Sequence, residues 1–521
     1  MQLKAKYVDM ESAEYTAVLH TEDALEIGVR EQDRVRIKHE RSSAVTLVQT
    51  TDTVVNKGEV GILGKAWETL GPDPDEAIEV VATSKPESIE FIKKKMNGKE
   101  LSTEEIRAIV NDISTHNLSN IELTAYVTAL YINGMNLRET ADLTQAMVET
   151  GETIKFDRSP VYDFHSVGGC PGNKITLIVV PIVAAAGLLI PKTSSRAISS
   201  AAGTSDIVEV FARVDFDGNK LRSIAETTGG SLAWGGSVNL APADDLIIKV
   251  EYPLGIDPHA QLLASVMSKK KAVGTEFLVI DIPMGAGTKV PTMEKAQAYA
   301  KDFVDLGERL GMHVECAITY GEQPVGRAVG PALEAREAIA ILEGELHPSS
   351  VIEKACGMAG MLLEMAGMKR GEAKAREILM SGKALDKFRE IVAAQGGDPN
   401  IRSTDIRVGK FTHDITATMC GYVNSIRNKE IVALARAAGS PRDKGAGVLL
   451  HKKRGNRVDD GEAILTIYAD TQAKLDQAVE LSRKLNPVSI EGMILAKLPY
   501  INRTTVIERT FCPAPGAPPA D

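Results

Sequence analysis

The segment from Asp163 to Glu209 constrains the fold most strongly, because two runs rich in glycine and hydroxyl residues flank a long apolar stretch. We call DFHSVGGCPGNK (163–174) the first cradle and SSRAISSAAGTSD (194–206) the second cradle. Glycine lets backbone N–H groups approach an anion closely, and Ser and Thr hydroxyls add hydrogen-bond donors. A strand predicted at Val161 to Phe164 precedes the first cradle, and an apolar helix follows it from Lys174. The segment therefore predicts an α/β fold with two phosphate-binding loops.

Composition narrows the class of protein that carries these loops. A chain of 521 residues predicts roughly three to four domains. With 70 acidic against 60 basic residues, it lacks the basic balance typical of nucleic-acid-binding proteins. The cysteines and histidines show no metal-ligand spacing, so we expect neither a metal nor a cofactor. The N-terminus has no apolar signal core and the longest apolar stretch contains Pro181, so we expect a cytoplasmic protein without membrane contact.

Changes of pattern along the chain predict its domains. We expect a β-rich N-terminal domain at 1–84 with a role in assembly, a helical domain at 85–155 and 242–273, an α/β phosphate-binding domain at 156–241 and 274–503 that includes a strand-rich unit at 404–471, and a disordered tail at 504–521. Ser102 and Glu105 are predicted to form a capping box at the start of one helix.

Polar residues recur along the predicted helix within YPLGIDPHAQLLASVMSKK. Asp257 stands directly before a proline at the helix start, which is typical of an N-cap. Gln261, Ser265 and Lys269 follow at intervals of four and share one face. Spacing alone leaves two interpretations open, a capped surface helix or the wall of a polar pocket.

Two further residues have a structural and a functional interpretation. Lys289 lies in a third glycine-rich turn, MGAGTKVPT, and is either a surface lysine or an anion-pairing one. His165 either forms hydrogen bonds within the first cradle or reaches a bound phosphate.

Several motifs in order resemble those of the thymidine and pyrimidine-nucleoside phosphorylase family over about 85–503. They are HSVGG at His165 to Gly169, VVPIVAAAG in the following helix, the S-x-R and GTxDxxE pattern at Ser194, Arg196, Gly203, Thr204, Asp206 and Glu209, and SVMSKK at Ser265 to Lys270. The resemblance implies a helical domain and a large α/β domain with a cleft between them.

Departures from the family pattern point to one branch. Phe164 stands where the nucleoside phosphorylases have a phosphate-binding lysine, and Val250 stands where they have a pyrimidine-binding arginine. The extra N-terminal domain, SRAISS at Ser195 to Ser200 and GTK at Gly287 to Lys289 look like the archaeal AMP phosphorylases. We hypothesise that Lys174 replaces the charge missing at Phe164.

This resemblance implies a set of site residues. Contacts to nucleotide and phosphate are implied for Gly169, Ser194, Ser195, Arg196, Ala197, Ile198, Ser199, Ser200, Thr204, Ser265 and Lys289, with His165, Ser166, Lys174 and Lys269 as secondary candidates. Asp257 is implied as the proton donor to the leaving base, a role that needs its carboxyl to be protonated.

The implied reaction is the phosphorolysis of AMP, with CMP and UMP as further candidate substrates and inorganic phosphate as the co-substrate. It gives the free base and ribose 1,5-bisphosphate, and the family implies a homo-oligomer. The alternatives are a pyrimidine-nucleoside phosphorylase, a phosphoribosyltransferase like the anthranilate enzyme, and a nucleotide sensor without catalysis. The phosphoribosyltransferase would need diphosphate, and the sensor would bind the nucleotide without turnover.

Overall fold

The computed structural model describes residues 1–12, 14–197 and 200–494. The chain divides into two compact units, which we call the first unit (Met1–Glu152 with Leu240–Ser268) and the second unit (Thr153–Asn239 with Lys269–Asp521). The predicted disordered tail and two candidate residues of the second cradle, Ile198 and Ser199, lie outside the described residues.

A closed six-stranded barrel begins the first unit, with strand order β1-β5-β2-β4-β3-β6. Its elements are β1 (Gln2–Val8), β2 (Thr16–His20), α1 (Thr21–Ile27), β3 (Arg34–His39), β4 (Ser42–Thr51), β5 (Glu59–Leu63), α2 (Gly64–Leu70) and β6 (Ala77–Thr83). The pairs β1/β5 and β2/β4 are parallel, and the other neighbours are antiparallel. Alternate residues such as Leu3 and Ala5 fill the barrel core, as the alternating sequence pattern requires. Closure leaves the barrel without a free sheet edge.

Helices form the rest of the first unit. Numbered along the whole chain, they are α3 (Ser88–Met96), α4 (Thr103–Ser114), α5 (Asn120–Asn133), α6 (Leu137–Glu149), α11 (Pro242–Leu254) and α12 (His259–Ala272), whose last residues from Lys269 group with the second unit. The predicted capping box of Ser102 and Glu105 starts α4, and Ser119 with Glu122 forms another at the start of α5. Each box satisfies two backbone N–H groups that a helix start leaves unpaired.

Parallel strands organise the second unit. They are β7 (Tyr162–Ser166), β8 (Ile190–Ser194), β9 (Gly230–Trp234), β10 (Phe277–Met284) and β11 (His313–Tyr320), with α7 (Thr176–Ala185), α8 (Thr204–Val208), α9 (Gly218–Thr228), α10 (Gly235–Val238) and α13 (Met293–Arg309) in the connections. The strands pair as β11-β10-β7 and β8-β9, and a parallel bridge between Val161 and Leu189 links β7 to β8. Helix α7 is buried along almost its whole length in the largest core cluster, so it is apolar on every face.

Helices and two small sheets complete the second unit. They are β12 (Ala328–Val329), α14 (Pro331–Leu342), α15 (Ser349–Met365), α16 (Gly371–Met380), α17 (Lys383–Ala394), a 3₁₀ turn (Ser403–Asp405), β13 (Phe411–Thr416), β14 (Gly421–Ile426), α18 (Asn428–Ala437), β15 (Gly447–Leu450), β16 (Arg457–Val458), β17 (Ala463–Ala469), α19 (Gln472–Leu485) and β18 (Val488–Glu491). The region predicted as strand-rich at 404–471 thus also holds a helix. The two sheets of this region also include β12, which precedes the predicted range, and β18, which follows it. No helix among the described residues is long and apolar enough to cross a membrane.

Candidate active site

The first cradle connects the carboxyl end of β7 to helix α7. Gly168, Gly169 and Gly172 have φ angles of 92°, 85° and 73°, a region that side chains disfavour. A Cβ atom on Gly169 would lie 2.6 Å from the backbone nitrogen of Lys289, so the third glycine-rich turn packs directly against the first cradle. Two segments that the sequence singled out separately are therefore neighbours, and both Gly169 and Lys289 are exposed.

A buried carboxylate on β10 fixes the start of the first cradle. Asp281 accepts hydrogen bonds from the hydroxyl of Ser166 (2.7 Å), the amide of Asn173 (3.2 Å) and the hydroxyl of Thr319 (2.6 Å). The ammonium of Lys354 lies 2.8 Å from the same carboxylate. Ser166 also accepts a bond from Asn173, and its one hydroxyl proton is used on Asp281. In this structure Ser166 therefore anchors the loop and presents no hydroxyl proton to an anion.

Two buried lysines share one carboxylate beneath the first cradle. Lys270 lies 2.7 Å from Asp163 and Lys192 lies 3.5 Å from it, and all three side chains are at most 4% exposed. Lys192 also donates a hydrogen bond to the backbone carbonyl of Phe164. Burial, opposed by Asp163 and reinforced by the positive charge of Lys270, lowers the pKa of Lys192 to about 7.

His165 is half-buried at the end of β7. Burial is the main cause that holds the pKa of His165 well below its usual value, and the nearby ammonium groups of Lys192 and Lys270 act in the same direction. The imidazole is therefore neutral near pH 7 and cannot supply the positive charge of an anion site.

The structure contradicts the hypothesis that Lys174 binds phosphate. Its side chain is fully buried, pairs with the carboxylate of Glu337, and donates to the carbonyls of Val325 (3.2 Å) and Ala328 (3.0 Å). The ammonium is thus committed to holding the chain between β11 and α14. The place of Lys174 in the loop sequence suggested that it faces the ligand. Its actual partners lie more than 150 residues further along the chain.

The carboxylate of Asp206 organises the second cradle. It accepts hydrogen bonds from the backbone N–H groups of Ala197 (2.7 Å) and Gly203 (3.0 Å). A Cβ atom on Gly203 would lie 2.5 Å from the carbonyl oxygen of Ser195, so only glycine allows the loop to close on itself. The hydroxyls of Ser195 and Thr204 form no hydrogen bond within the described part of the chain, which leaves both as donors for a ligand.

Ion pairs surround the second cradle. Arg196 donates to Glu209 at 2.9 Å and to Asp215 at 3.2 Å, and its guanidinium lies 3.9 Å from the ring centre of Trp234. Lys444 pairs with Glu209 at 2.8 Å. Burial opposes ionisation of Glu209, but Lys444 and Arg196 together hold its pKa below the usual value. The resemblance implied that Arg196 contacts the ligand. In this structure several of its N–H donors already bond Glu209 and Asp215.

The other candidates around the second cradle differ in what they contact. Ser194 and Ser205 share a hydrogen bond of 2.9 Å between their hydroxyls, so Ser194 holds the loop together. Ser200 accepts a bond from Arg436 at its carbonyl oxygen and donates its hydroxyl to the carbonyl of Ala202.

The first unit holds a separate polar wall on α12. The buried carboxylate of Asp244 accepts hydrogen bonds from the amide of Gln261 (3.0 Å) and the hydroxyl of Ser265 (2.7 Å). The interval of four thus brings these two side chains to one carboxylate, as expected for residues on one face of a helix. Asp257 precedes the helix and is exposed, and Lys269 is half-buried on the part of α12 that groups with the second unit.

Several buried charged residues that shape these sites were not predicted from the sequence as site residues. Among them are Asp163, Lys192, Asp244, Lys270 and Asp281, each at most 3% exposed. For Asp281 a signal existed, since it interrupts the otherwise apolar strand β10, and a buried charge needs a partner. The partners themselves could not be read from the sequence.

Comparison with protein families assigns most of the chain. A model of the helical bundle domain of the glycosyl transferase family matches residues 89–151, and a model of the α/β domain of that family matches residues 158–385. A model of the pyrimidine nucleoside phosphorylase C-terminal domain matches residues 422–489. The solved anthranilate phosphoribosyltransferase of Thermus thermophilus is 21% identical with a TM-score of 0.50, covering 59% of this chain and 99% of that one, and shares the fold.

Full-length relatives narrow the family further. The chain is 51% identical over 505 residues to the AMP phosphorylase of Methanosarcina acetivorans, covering 96% of this chain and 99% of the relative. It is 52% identical over 496 residues to AMP phosphorylase 1 of Archaeoglobus fulgidus, covering 95% and 98%. For the AMP phosphorylase of Thermococcus kodakarensis the identity is 50% over 501 residues, covering 96% and 99%. With its helical bundle and α/β domains, the chain belongs to the AMP phosphorylase family of glycosyl transferases.

Proposed function

We propose that the chain catalyses the phosphorolysis of AMP by inorganic phosphate. An oxygen of phosphate forms a bond to the anomeric carbon of the ribose while the bond from that carbon to adenine breaks. The electron pair of the broken bond leaves with the base, which takes up a proton, and ribose 1,5-bisphosphate is the second product.

One observation carries this proposal: the two cradles follow neighbouring parallel strands. β7 leads into the first cradle and β8 into the second, and the backbone N–H of Tyr162 donates to the carbonyl of Leu189 at 2.8 Å between them. Ligands of α/β folds bind beyond the carboxyl ends of such strands. Two adjacent anion-binding loops fit a reaction in which a nucleotide phosphate and an attacking phosphate flank one ribose. The names of the relatives, about half identical over nearly the whole chain, support the same reaction.

Asp257 is proposed as the proton donor to the leaving base. It lies next to the start of α12, the helix that carries Gln261 and Ser265. General acid assistance of this kind is typically worth about 10²- to 10⁴-fold in rate. Because Asp257 is exposed in this structure, its carboxyl is open to a bound base.

The wall on α12 bears on the choice of base. The hydroxyl proton of Ser265 is used on Asp244, so the oxygen of Ser265 remains an acceptor for an N–H group of the base. Adenine and cytosine offer an amino group and uracil offers a ring N–H, so CMP and UMP are proposed as further substrates.

The test is to incubate the protein with AMP and phosphate, to omit each in turn, and to follow free adenine by chromatography. Adenine is expected only when both are present. Adenosine should react at least about 100-fold more slowly, because it leaves the phosphate-binding donors of one cradle unused. Equal rates with adenosine and AMP would contradict specificity for the nucleotide.

A pair of variants tests the role of Asp257. Asp257→Asn should keep binding AMP and lose about 10²- to 10⁴-fold in turnover. Glu308→Gln, which removes an exposed carboxyl from α13 of the second unit, should leave both unchanged. Full turnover by Asp257→Asn would exclude Asp257 as the proton donor.

A further inference from the structure

The buried lysine pair beneath the first cradle carries more positive charge than its surroundings neutralise. The ammonium groups of Lys192 and Lys270 share the single carboxylate of Asp163, at 3.5 Å and 2.7 Å. The titratable neighbour at the end of the same strand, His165, is neutral near pH 7 because burial and both lysines disfavour its charged form. With both lysines protonated, the cluster therefore has a net charge of about plus one.

This charge lies at the point where both cradles begin. Asp163 is on β7, three residues before the end of the strand, and Lys192 is on β8, two residues before Ser194. Lys192 also donates to the carbonyl of Phe164, which ties its ammonium to the backbone of the first cradle. Placing an unneutralised charge in the interior costs free energy, and such a charge is retained where a ligand of opposite sign offsets the cost.

We infer that Lys192 is a positioning residue of the phosphate site, which holds the attacking or the nucleotide phosphate through the net positive charge that it and Lys270 maintain beneath the cradles. The inference rests on the proposed function in taking phosphate as the ligand. Because Lys192 is buried, it acts on the anion through the electric field across the loop.

The charge of this cluster changes near neutral pH. The groups around Lys192 are Asp163 and His165 on β7 and Lys270 on α12, and the pKa of Lys192 is lowered to about 7. Below that pH the cluster is positive, and above it Lys192 and its excess charge are neutral. Affinity for a dianion should therefore fall by about tenfold from pH 6 to pH 8.5, the effect of one unit charge on a dianion roughly 10 Å away at an effective dielectric constant of about 50, between the values for a protein surface and for water.

Calorimetric titration of the full chain with sulfate tests the inference. Sulfate keeps its charge throughout this pH range, whereas phosphate itself titrates. Lys192→Met should bind sulfate about tenfold more weakly than the wild-type chain at pH 6, with little dependence on pH. The double variant with Lys192→Met and Asp163→Asn leaves Lys270 as a single positive charge, so it should regain most of the lost affinity at pH 6.

Comparing Lys192→Met with the double variant distinguishes an effect of charge on sulfate binding from an effect of structural damage. Both variants lose the hydrogen bond from Lys192 to Phe164, and the double variant removes one more buried group. A purely structural role therefore predicts weaker sulfate binding in the double variant than in Lys192→Met, which would overturn the inference. If Lys192→Met does not fold, Lys270→Met with and without Asp163→Asn makes the same comparison. A wild-type chain that binds sulfate equally well at pH 6 and pH 8.5, or not at all, would also overturn it.

A control removes a buried lysine without changing the net charge. The variant with Lys95→Met and Glu139→Gln loses a buried ion pair of the first unit and should keep the wild-type affinity for sulfate. Because sulfate binding needs no AMP and no turnover, failure of the AMP assay would leave this result standing, and the two proposals fail separately.

Discussion

The two cradles lie at the ends of neighbouring strands, yet they differ in whether the charges around them are balanced. Beneath the first cradle, Lys192 and Lys270 exceed the single charge of Asp163. The second cradle closes on its own carboxylate, Asp206, which takes two backbone N–H groups and pairs with Lys444 at 3.1 Å. The first cradle thus has an excess of positive charge, while charges around the second are largely paired within the protein.

The two cradles also differ in the hydrogen-bond donors that the protein itself leaves unused. Within the described residues, no hydrogen bond uses the backbone N–H groups of Gly168, Gly169 and Cys170 in the first cradle. Among the described residues of the second cradle, the hydroxyls of Ser195 and Thr204 are the open side-chain donors. Changes in the first cradle should therefore act through charge and the close approach of backbone. Changes in the second should act through its shape and its hydroxyls.

A substitution that blocks the close approach in the first cradle should have the largest effect on activity. Gly169→Ala adds a Cβ atom 2.6 Å from the backbone nitrogen of Lys289, so one segment must move. We expect kcat/KM for phosphate to fall by about 100-fold, the effect of a displacement of roughly 1 Å at a reacting site. Gly187→Ala is the matched control, since Gly187 has a similar φ of 89° and nothing within 4 Å of an added Cβ. Equal losses in both variants would show that backbone strain, and not the close approach, matters.

Removing the central carboxylate should disrupt the second cradle. Asp206→Ala leaves the N–H groups of Ala197 and Gly203 without their acceptor. We expect a loss of about 2 kcal/mol in the free energy of unfolding, reduced from the value for a fully buried pair because Lys444 is partly exposed. Asp215→Ala, whose carboxylate is 57% exposed, should cost under about 1 kcal/mol in the same urea unfolding experiment. A stable Asp206→Ala chain with full activity would contradict this account of the loop.

The open hydroxyls of the second cradle should contribute less. Ser195→Ala and Thr204→Val should each weaken binding of AMP or phosphate by about tenfold, the lower end of the range for one hydrogen bond to a charged group. Unlike the loss in Lys192→Met, this loss should be the same at pH 6 and pH 8.5. Ser205→Ala removes a buried hydroxyl that already bonds Ser194, and it should reduce stability without reducing affinity.

The last prediction concerns how the stability of the folded chain depends on pH. The folded chain binds the proton of Lys192 with a pKa of about 7, against 10.5 for an ordinary lysine, so above pH 7 the unfolded chain binds more protons. The contribution of Lys192 to the free energy of unfolding should therefore rise between pH 7 and pH 9, by less than about 1.4 kcal/mol per pH unit. Urea unfolding should show the wild-type chain gaining stability relative to Lys192→Met over this range. A constant difference would contradict a buried, titrating Lys192.

These differences also show what the sequence could predict. The cradles follow from local rules, because glycine and hydroxyl residues between a strand and a helix serve the same purpose wherever they occur. The capping boxes and the shared face of Gln261 and Ser265 are equally local. The charges beneath the cradles are not, since Lys192 meets Phe164 across 28 positions and Asp281 meets Ser166 across 115. Only the tertiary fold decides which buried charge finds which partner.

The central claim is that two phosphate groups flank one ribose, and ³¹P NMR of the reaction mixture tests it most directly. With AMP and inorganic phosphate, the account predicts that the phosphate signal falls as a sugar with two phosphorus resonances appears, one from the 5′-phosphate and one from phosphate on the anomeric carbon. Formation of ribose 5-phosphate with no consumption of inorganic phosphate would mean that water is the nucleophile, and would contradict the account.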